Sequence, residues 1–394
     1  MRIGIDVTSW GNGRGFGRFV RELVGALGRT ESTDEFVLLA DRQTAETAQF
    51  PPGWALAVGD TSVAPSQAAA ADGRRSLGDM LVMRRLTARQ RLDLVFFPAV
   101  YTYFPVGGRV PVIVTFHDAI AETLPHLIFH NRRSRFFWNM KSRLAVRRSA
   151  AVVTVSEASK RDLMSAFGLT NGRIRLVGEA PAAGFVPEAP PSDKVRKAAL
   201  SRHGVKPSDL FFLSVGGISP HKNLDTLIEA FARARNAPGC AEARLVIVGD
   251  YQRDVFRTCY DDLCGLISRL GIKPHVHFAG FVPDEDLAHL YAACEAFVFP
   301  SFLEGFGLPA VEAMACGAAV LASDRGSLPE VLDGAGYLFD PHDPAALATG
   351  MQRVLTDAQW RADLRARSKV RAQHFSWQRS AQQALDIFHE FARK

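Results

Sequence analysis

Short apolar, β-rich runs alternate along the chain with longer stretches in which apolar residues return every three or four positions. The runs RIGIDV (2–7), FVLLA (36–40), LDLVFF (92–97), VPVIVTF (110–116), AVVTVS (151–156) and RIRLV (173–177) predict the strands of a first unit. FFLSVG (211–216), ARLVIVG (243–249), HVHFAG (275–280), EAFVFP (295–300) and AAVLAS (318–323) predict those of a second. Apolar strands alternating with helical patterns are the signature of parallel sheets with crossover helices. Each unit opens with a strand, a glycine-bearing turn and a helix. The expected fold is therefore α/β, with two doubly wound parallel sheets, and open sheets of this kind bind ligands beyond the carboxyl ends of their strands. Between the units, APAAGFVPEAPPSDKVRKAAL is rich in Pro and Ala, lacks a strand pattern and predicts a linker. After His374, Phe375, Trp377, Ala381, Ala384, Leu385, Phe388 and Phe391 fall at near-helical spacing, predicting a final amphipathic helix that needs a surface to cover.

Length agrees with this division, since 394 residues exceed one ordinary core and suit two. Apolar content of 47% and charged content of 22% place the chain among globular rather than disordered proteins. The start, MRIGIDVTSW, turns acidic and polar after five residues, too soon for a signal peptide or a spanning helix, so a cytoplasmic location is expected. Five cysteines without a C-x-x-C pair indicate neither a disulfide frame nor a zinc site. A net charge of +6 and a pI of about 9.2 permit nucleotides, anionic lipid or nucleic acid as partners without selecting among them.

The chemistry is concentrated in a few stretches. FLEGFGLPAVEAMACG (302–317) sets Glu304 and Glu312 eight positions apart. Pro309 suits a first helical position, so the segment predicts a loop running into a helix N-terminus. Such a terminus offers backbone N–H groups and the positive end of the helix dipole, and Gly305 and Gly307 let a ligand approach the backbone, as a phosphate requires. Carboxylates repel phosphate but accept hydrogen bonds from neutral diols, so a phosphate carrying sugars on both sides satisfies every group. A capped helix end with dipole-complementing acids is the plainer alternative.

SVGGISPHKNLDTLIEAF (214–231) puts Lys222 near a helix start, either solvated or as an anion ligand, and it lacks the P-loop pattern. GNGRGFGR (11–18) reads as a flexible turn or a substrate-lining loop and is not the dinucleotide fingerprint. TFHDAI (115–120) sets His117 and Asp118 at a strand end, where a titratable pair is either satisfied structurally or used. The acids Asp284, Glu285 and Asp286 follow Pro283 as a helix N-terminal cluster, and no metal is assigned. The stretch 125–150 carries seven Lys or Arg, no acid, and Phe129, Phe136, Phe137, Trp138 and Met140. It reads as a packed helix with a basic outer face or as a segment that lies on an anionic membrane surface. No nucleic-acid-binding motif accompanies the charge.

Four motifs in fixed order, GRGFGR, TFHD, SVGGISPHKN and EGFGLPAVEAMACG, together with VSEASKRDL (155–163) and the FSW helix, resemble glycosyltransferase family 4 over nearly the whole chain. Members of that family are retaining nucleotide-sugar transferases of GT-B fold. The resemblance implies two Rossmann-like domains facing across a cleft: an acceptor-binding domain at 1–180, a linker at 181–207, a nucleotide-sugar-binding domain at 208–374, and a helix at 375–394 crossing back to the first domain. It also implies residue roles. Glu312 would hold the donor ribose and Glu304 the transferred sugar, with the backbone from Gly305 through Phe306, Gly307 and Leu308 meeting the sugar and diphosphate. Lys222 would contact the phosphates, His117 would lie near the anomeric carbon, and Gly15 and Gly17 beside the phosphates or acceptor. Gly217 falls in the donor-binding turn where many members carry an arginine, which leaves more of the diphosphate charge to Lys222. The turn GEAPAAGF also departs from the family's usual N-G-V.

The implied reaction moves a mannose-like or glucose-like hexose from a GDP or UDP sugar to a hydroxyl of a lipid-linked or cell-surface glycan. It needs no cofactor or metal, and the 125–150 stretch would place the protein peripherally on the inner face of a membrane. A nucleotide-sugar 2-epimerase on the same scaffold, or a nucleotide- or sugar-binding protein without turnover, are the alternatives.

Overall fold

The computed structural model describes residues 1–62, 76–129, 131–186, 192–250 and 258–392. Contacts divide the chain into two compact units, Met1–Glu179 with Ser376–Lys394, and Ala180–Phe375.

The first unit is built on strands β1 (Arg2–Asp6), β2 (Glu35–Asp41), β3 (Ala55–Gly59), β4 (Leu94–Phe97), β5 (Val112–Thr115), β6 (Ala151–Thr154) and β7 (Ile174–Leu176). They pair in parallel in the order β3-β2-β1-β4-β5-β6-β7. Every residue of β4, β5 and β6 is buried, which is why these strands are continuous apolar runs. The edge strand β3 leaves Leu56 and Val58 exposed, and its ALAVG sequence falls outside the predicted runs.

The second unit holds β8 (Phe211–Val215), β9 (Arg244–Val248), β10 (Val276–Gly280), β11 (Ala296–Phe299), β12 (Val320–Ser323) and β13 (Tyr337–Phe339). They are parallel in the order β10-β9-β8-β11-β12-β13. Its core joins Phe212, Leu245, Ile247, Val298 and Leu321 of the sheet to Leu227, Phe231, Leu347 and Met351 of the helices. In each unit the strand order reverses once, between β1 and β4 and between β8 and β11. Crossover helices leave these points to opposite faces of the sheet and so open a crevice at the strand ends.

The final helix, Trp377–Ala392, belongs to the first unit. Its buried stripe includes Trp377, Ala381, Ala384, Leu385, Phe388 and Phe391. Phe388 packs on Phe96 of β4 with ring centroids 5.0 Å apart, and Trp377 meets Phe19 edge-on. Arg175 and Glu390 add an ion pair at 2.6 Å. Residues 393 and 394 of the expected helix lie outside the described residues.

The stretch 181–207, expected as a linker, contains a helix, Asp193–Arg202, while its residues 187–191 lie outside the described residues. Ser192 caps this helix, and Ala199 and Leu200 bury its inner face. Arg202 and His203 both bind Asp286, and the Arg202 hydrogen bonds hold that carboxyl down at about 2. Asp286 lies in the first turn of the helix Asp284–Ala293, so the acidic cluster anchors this segment to the second unit.

Candidate functional site

In the second unit the two loops flanking the strand-order reversal are tied together. One follows β8 and carries Gly216, Gly217 and the short 3-10 turn Pro220–Lys222, and the other follows β11 and runs from Pro300 to Gly307. Asn223 sits between the turn and its helix with φ +55°, a left-handed conformation that Asn tolerates better than most residues. Its buried amide donates to Pro300 O at 3.0 Å and Pro341 O at 2.8 Å, and Phe302 N donates to His221 O at 2.9 Å. Lys222 Nζ meets Glu304 Oε1 at 2.6 Å and lies 5.2 Å from the centre of the Phe299 ring. A small cavity at this point is lined by Gly216, Gly217, Lys222, Phe299 and Ser301. Lys222 is thus paired with the first acid of the E-x7-E stretch.

The helix that follows spans Leu308–Ala315, so Pro309 is its second residue rather than its first. Gly307 caps it at φ +95°, and a Cβ there would lie 2.7 Å from Leu328 Cδ2. The left-handed backbone conformation favours glycine. Glu304 precedes the helix terminus and Glu312 lies in its second turn, with exposures of only 9% and 3%. Tyr291 O–H donates to Glu312 Oε2 at 3.4 Å. The Glu304 loop is held from behind by Ser327, whose hydroxyl donates to Phe306 O at 2.7 Å. At Gly326 a Cβ would lie 2.7 Å from Glu304 O and 2.9 Å from Glu304 N. Gly217, Lys222, Glu304, Gly305, Phe306, Gly307, Leu308 and Glu312 therefore share the switch-point end of one sheet.

His117, Gly15 and Gly17 belong to the first unit. His117 follows β5, with Nε2 3.0 Å from Pro98 O and Nδ1 3.1 Å from Glu179 Oε1. A carbonyl only accepts, so Nε2 carries the donated proton, and the Glu179 carboxyl faces the other nitrogen. Phe19 meets the imidazole edge-on at 4.8 Å. Both ring nitrogens are engaged and the ring is held on a third side.

The glycine stretch differs from the expected loop. Its helix already begins at Gly15, so Gly15 and Gly17 lie in the first turn and only residues 11–14 precede it. A Cβ on Gly17 would lie 2.1 Å from Asn12 O, so Gly17 is required by the chain's own backbone folding over the helix start. Gly15 meets nothing within 4 Å.

Sequence reasoning missed Asn223, Glu179, Tyr291 and Ser327. Asn223 adjoins a recognised lysine and Glu179 lies in the unusual GEAPAAGF turn, whereas Tyr291 occupies an apolar helical stretch and Ser327 a plain loop, neither carrying a local signal. Among the described residues no group of three or more His, Cys, Asp or Glu is placed to hold a metal ion, and no helix is long and apolar enough to cross a membrane.

Beside His117, Asp118 accepts from Ile120 N at the start of the short helix Ile120–Thr123. Glu122 of that helix accepts from Trp138 Nε1 at 2.7 Å. Burial pushes the Glu122 carboxyl up to about 7, the Trp138 hydrogen bond opposes this, and the charge of Asp118 adds to it. Burial, together with Asp118 and Glu122, also raises the nearby Tyr101 phenol.

Comparison with known proteins identifies the family. The family described as Glycosyltransferase Family 4 matches residues 13–179, and Glycosyl transferases group 1 matches residues 195–371. The O-antigen chain mannosyltransferase B of Escherichia coli is 31% identical over 281 residues, which are 70% of this chain and 69% of that protein. The serotype-specific mannosyltransferase WbdA of Escherichia coli is 31% identical over 291 residues, 73% of this chain, of which the chain spans only 35%. The crystal structure of HepE from Anabaena in complex with UDP and glucose matches with a TM-score of 0.73 at 20% identity, covering 99% of this chain and all of that one. The architecture is GT-B, as in other solved structures that match over nearly the full length. The chain belongs to glycosyltransferase family 4, and it is a glycosyltransferase.

The Glu122 environment has a measurable consequence. A carboxyl raised on folding contributes stability below its ordinary value of 4.5 and loses that contribution as pH climbs through about 7. Denaturant unfolding between about pH 4 and pH 8 should show the first unit losing on the order of 3 kcal/mol relative to the Glu122→Gln variant, because each pH unit between those two values contributes ~1.4 kcal/mol. Parallel pH profiles for the two proteins would contradict this assignment.

Proposed function

We propose that the protein transfers a mannose-like or glucose-like hexose from a GDP or UDP sugar to a hydroxyl of a lipid-linked or cell-surface glycan, with retention at the anomeric carbon. The observation that carries this reading is the Lys222–Glu304 pair at 2.6 Å, placed ahead of the glycine-capped helix that bears Glu312. A cation, a helix N-terminus and two buried carboxylates match a diphosphate with a sugar at either end. The mannosyltransferase relative supports mannose as the transferred sugar, and the UDP and glucose bound to HepE support the alternative donor.

In this reaction the acceptor hydroxyl oxygen bonds to the anomeric carbon on the face from which the diphosphate departs. The bond between that carbon and the phosphate oxygen breaks, and the departing phosphate takes the acceptor's proton. Lys222 and the backbone N–H groups at 306–308 stabilise the charge that grows on the leaving group, and their orientation is set before reaction. Glu304 exchanges its ion pair for hydrogen bonds to the transferred sugar, and Glu312 accepts from the ribose hydroxyls. His117 has both ring nitrogens engaged, an arrangement that favours the phosphate over the imidazole as proton acceptor and leaves His117 to shape the sugar's surroundings.

The acceptor's lipid anchor fits a further feature. The helix Arg132–Arg148 turns Trp138, Ser142, Ala145 and Val146 inward, yet leaves Phe136 63%, Phe137 48% and Met140 55% exposed. Arg132, Arg133, Arg135, Arg143, Arg147 and Arg148 are exposed on the same helix. A helix apolar on two faces and rimmed by arginine suits peripheral attachment to an anionic bilayer on its inner, cytoplasmic face. His130, within the expected 125–150 stretch, lies outside the described residues.

Titration calorimetry with UDP, GDP and ADP is expected to find micromolar binding of one nucleotide, weakened by about 1–3 kcal/mol in Lys222→Ala and in Glu312→Ala. Absence of binding by all three would remove the basis of the transferase reading. Separately, the protein should sediment at low salt with phosphatidylglycerol vesicles and not with phosphatidylcholine ones, and changing Arg132, Arg133 and Arg135 together to Glu should abolish this. Unchanged sedimentation of that variant would rule out the attachment.

A further inference from the structure

Glu312 is a buried carboxylate on a helix whose other buried neighbours are apolar, Leu308, Val311, Ala313 and Met314 among them. To accept hydrogen bonds from the two hydroxyls of a diol, its plane has to be fixed before the ligand arrives. Otherwise each binding event bears the entropy of freezing a side chain with several rotatable bonds.

The structure supplies a group suited to this task. Tyr291, near the end of the helix Asp284–Ala293, is fully buried, and its hydroxyl points at Glu312 Oε2 at 3.4 Å. The ring has little freedom, since Phe297 of β11 meets it edge-on at 5.4 Å and Phe185 at 5.9 Å. The direction of the O–H is thereby set by packing on two sides. A phenol is suited to the role because it donates to one carboxylate oxygen without bringing a charge that would neutralise the acid. Glu312 is close enough to the Cys316 thiol that its charge adds to the effect of burial in pushing that thiol up to about 12. The carboxylate thus sits in an enclosed environment where a fixed donor matters more than it would in water.

We propose that Tyr291 is a positioning residue for Glu312: its hydroxyl holds one carboxylate oxygen and so presents the other to the ribose hydroxyls of the nucleotide. This rests on the assignment of Glu312 to the ribose. Tyr291 itself touches no substrate. Its contribution is confined to ligands that carry the hydroxyls Glu312 recognises, which separates it from a purely packing role.

The test compares the nucleoside diphosphate that the wild-type protein binds with its 2′-deoxy counterpart, in wild type, Tyr291→Phe and Glu312→Gln. Tyr291→Phe keeps the ring and removes only the hydroxyl, and its melting curve reports whether the fold is kept. The wild type should prefer the ribonucleotide about tenfold, as expected for one hydrogen bond to a charged group. Tyr291→Phe should weaken the ribonucleotide about fivefold and the 2′-deoxy nucleotide, which keeps only one of the two hydroxyls, about twofold, and Glu312→Gln should abolish the preference. A wild type without preference would overturn the ribose assignment itself. A preference lost in Glu312→Gln but intact in Tyr291→Phe would overturn the positioning role alone. So would equal weakening of both nucleotides in Tyr291→Phe, since that marks a packing effect.

Discussion

The second unit's site depends on one ion pair, Lys222 with Glu304 at 2.6 Å. Both side chains are largely buried, at 18% and 10% exposure, and a charge in such a place is costly without a partner. Each residue comes from a different loop, so the pair forms only if the turn after β8 and the loop after β11 are brought together. Asn223 does this by donating to Pro300 O, and the bond from Phe302 N to His221 O closes the remaining gap. Glu304 occupies the place beside Lys222 that a diphosphate would claim. Under the proposed function, donor binding would exchange one anion for another on the same cation and so keep the lysine compensated throughout. Gly217, in the same turn, has no side chain, so that position would bring no second cation to share the task.

The second unit gathers its candidate site where strand order reverses, and in both units close-packed glycines answer to the chain before they answer to a ligand. Gly307 takes a left-handed conformation against Leu328, Gly326 lets the next loop touch the Glu304 backbone, and Gly17 yields to the Asn12 carbonyl. These close approaches hold the loops rigidly, and a rigid loop is what electrostatic stabilisation of a leaving group requires. In the first unit His117 is fixed in the same spirit, with a carbonyl, a carboxyl and a phenylalanine around the ring.

The strands that were legible in the sequence are those buried on both faces, such as LVFF of β4 and AFVF of β11, because double burial leaves an unbroken apolar run. The edge strand β3 was not legible: half-exposed and built on small residues, it resembles a loop. The three-residue β13 is too short to show a period. The helix Asp193–Arg202 was hidden in a Pro- and Ala-rich stretch, since what secures it, Asp286, is some eighty residues away. The same limit applies at the site. Glu304, Lys222 and Glu312 stand in recognisable motifs, but nothing near Tyr291, Glu179 or Ser327 announces the partners that only the fold supplies. In the glycine stretch the spacing suggests a ligand loop but does not show that Gly17 also answers to a backbone oxygen of the chain itself.

The most direct measurement is a crystal structure of the protein soaked with the nucleoside diphosphate that it binds. Diphosphate oxygens are expected within hydrogen-bond reach of Lys222 Nζ and of the backbone at 306–308, with the Glu304 carboxylate displaced from Nζ and the ribose on Glu312. A nucleotide bound elsewhere, with the Lys222–Glu304 pair intact, would contradict it.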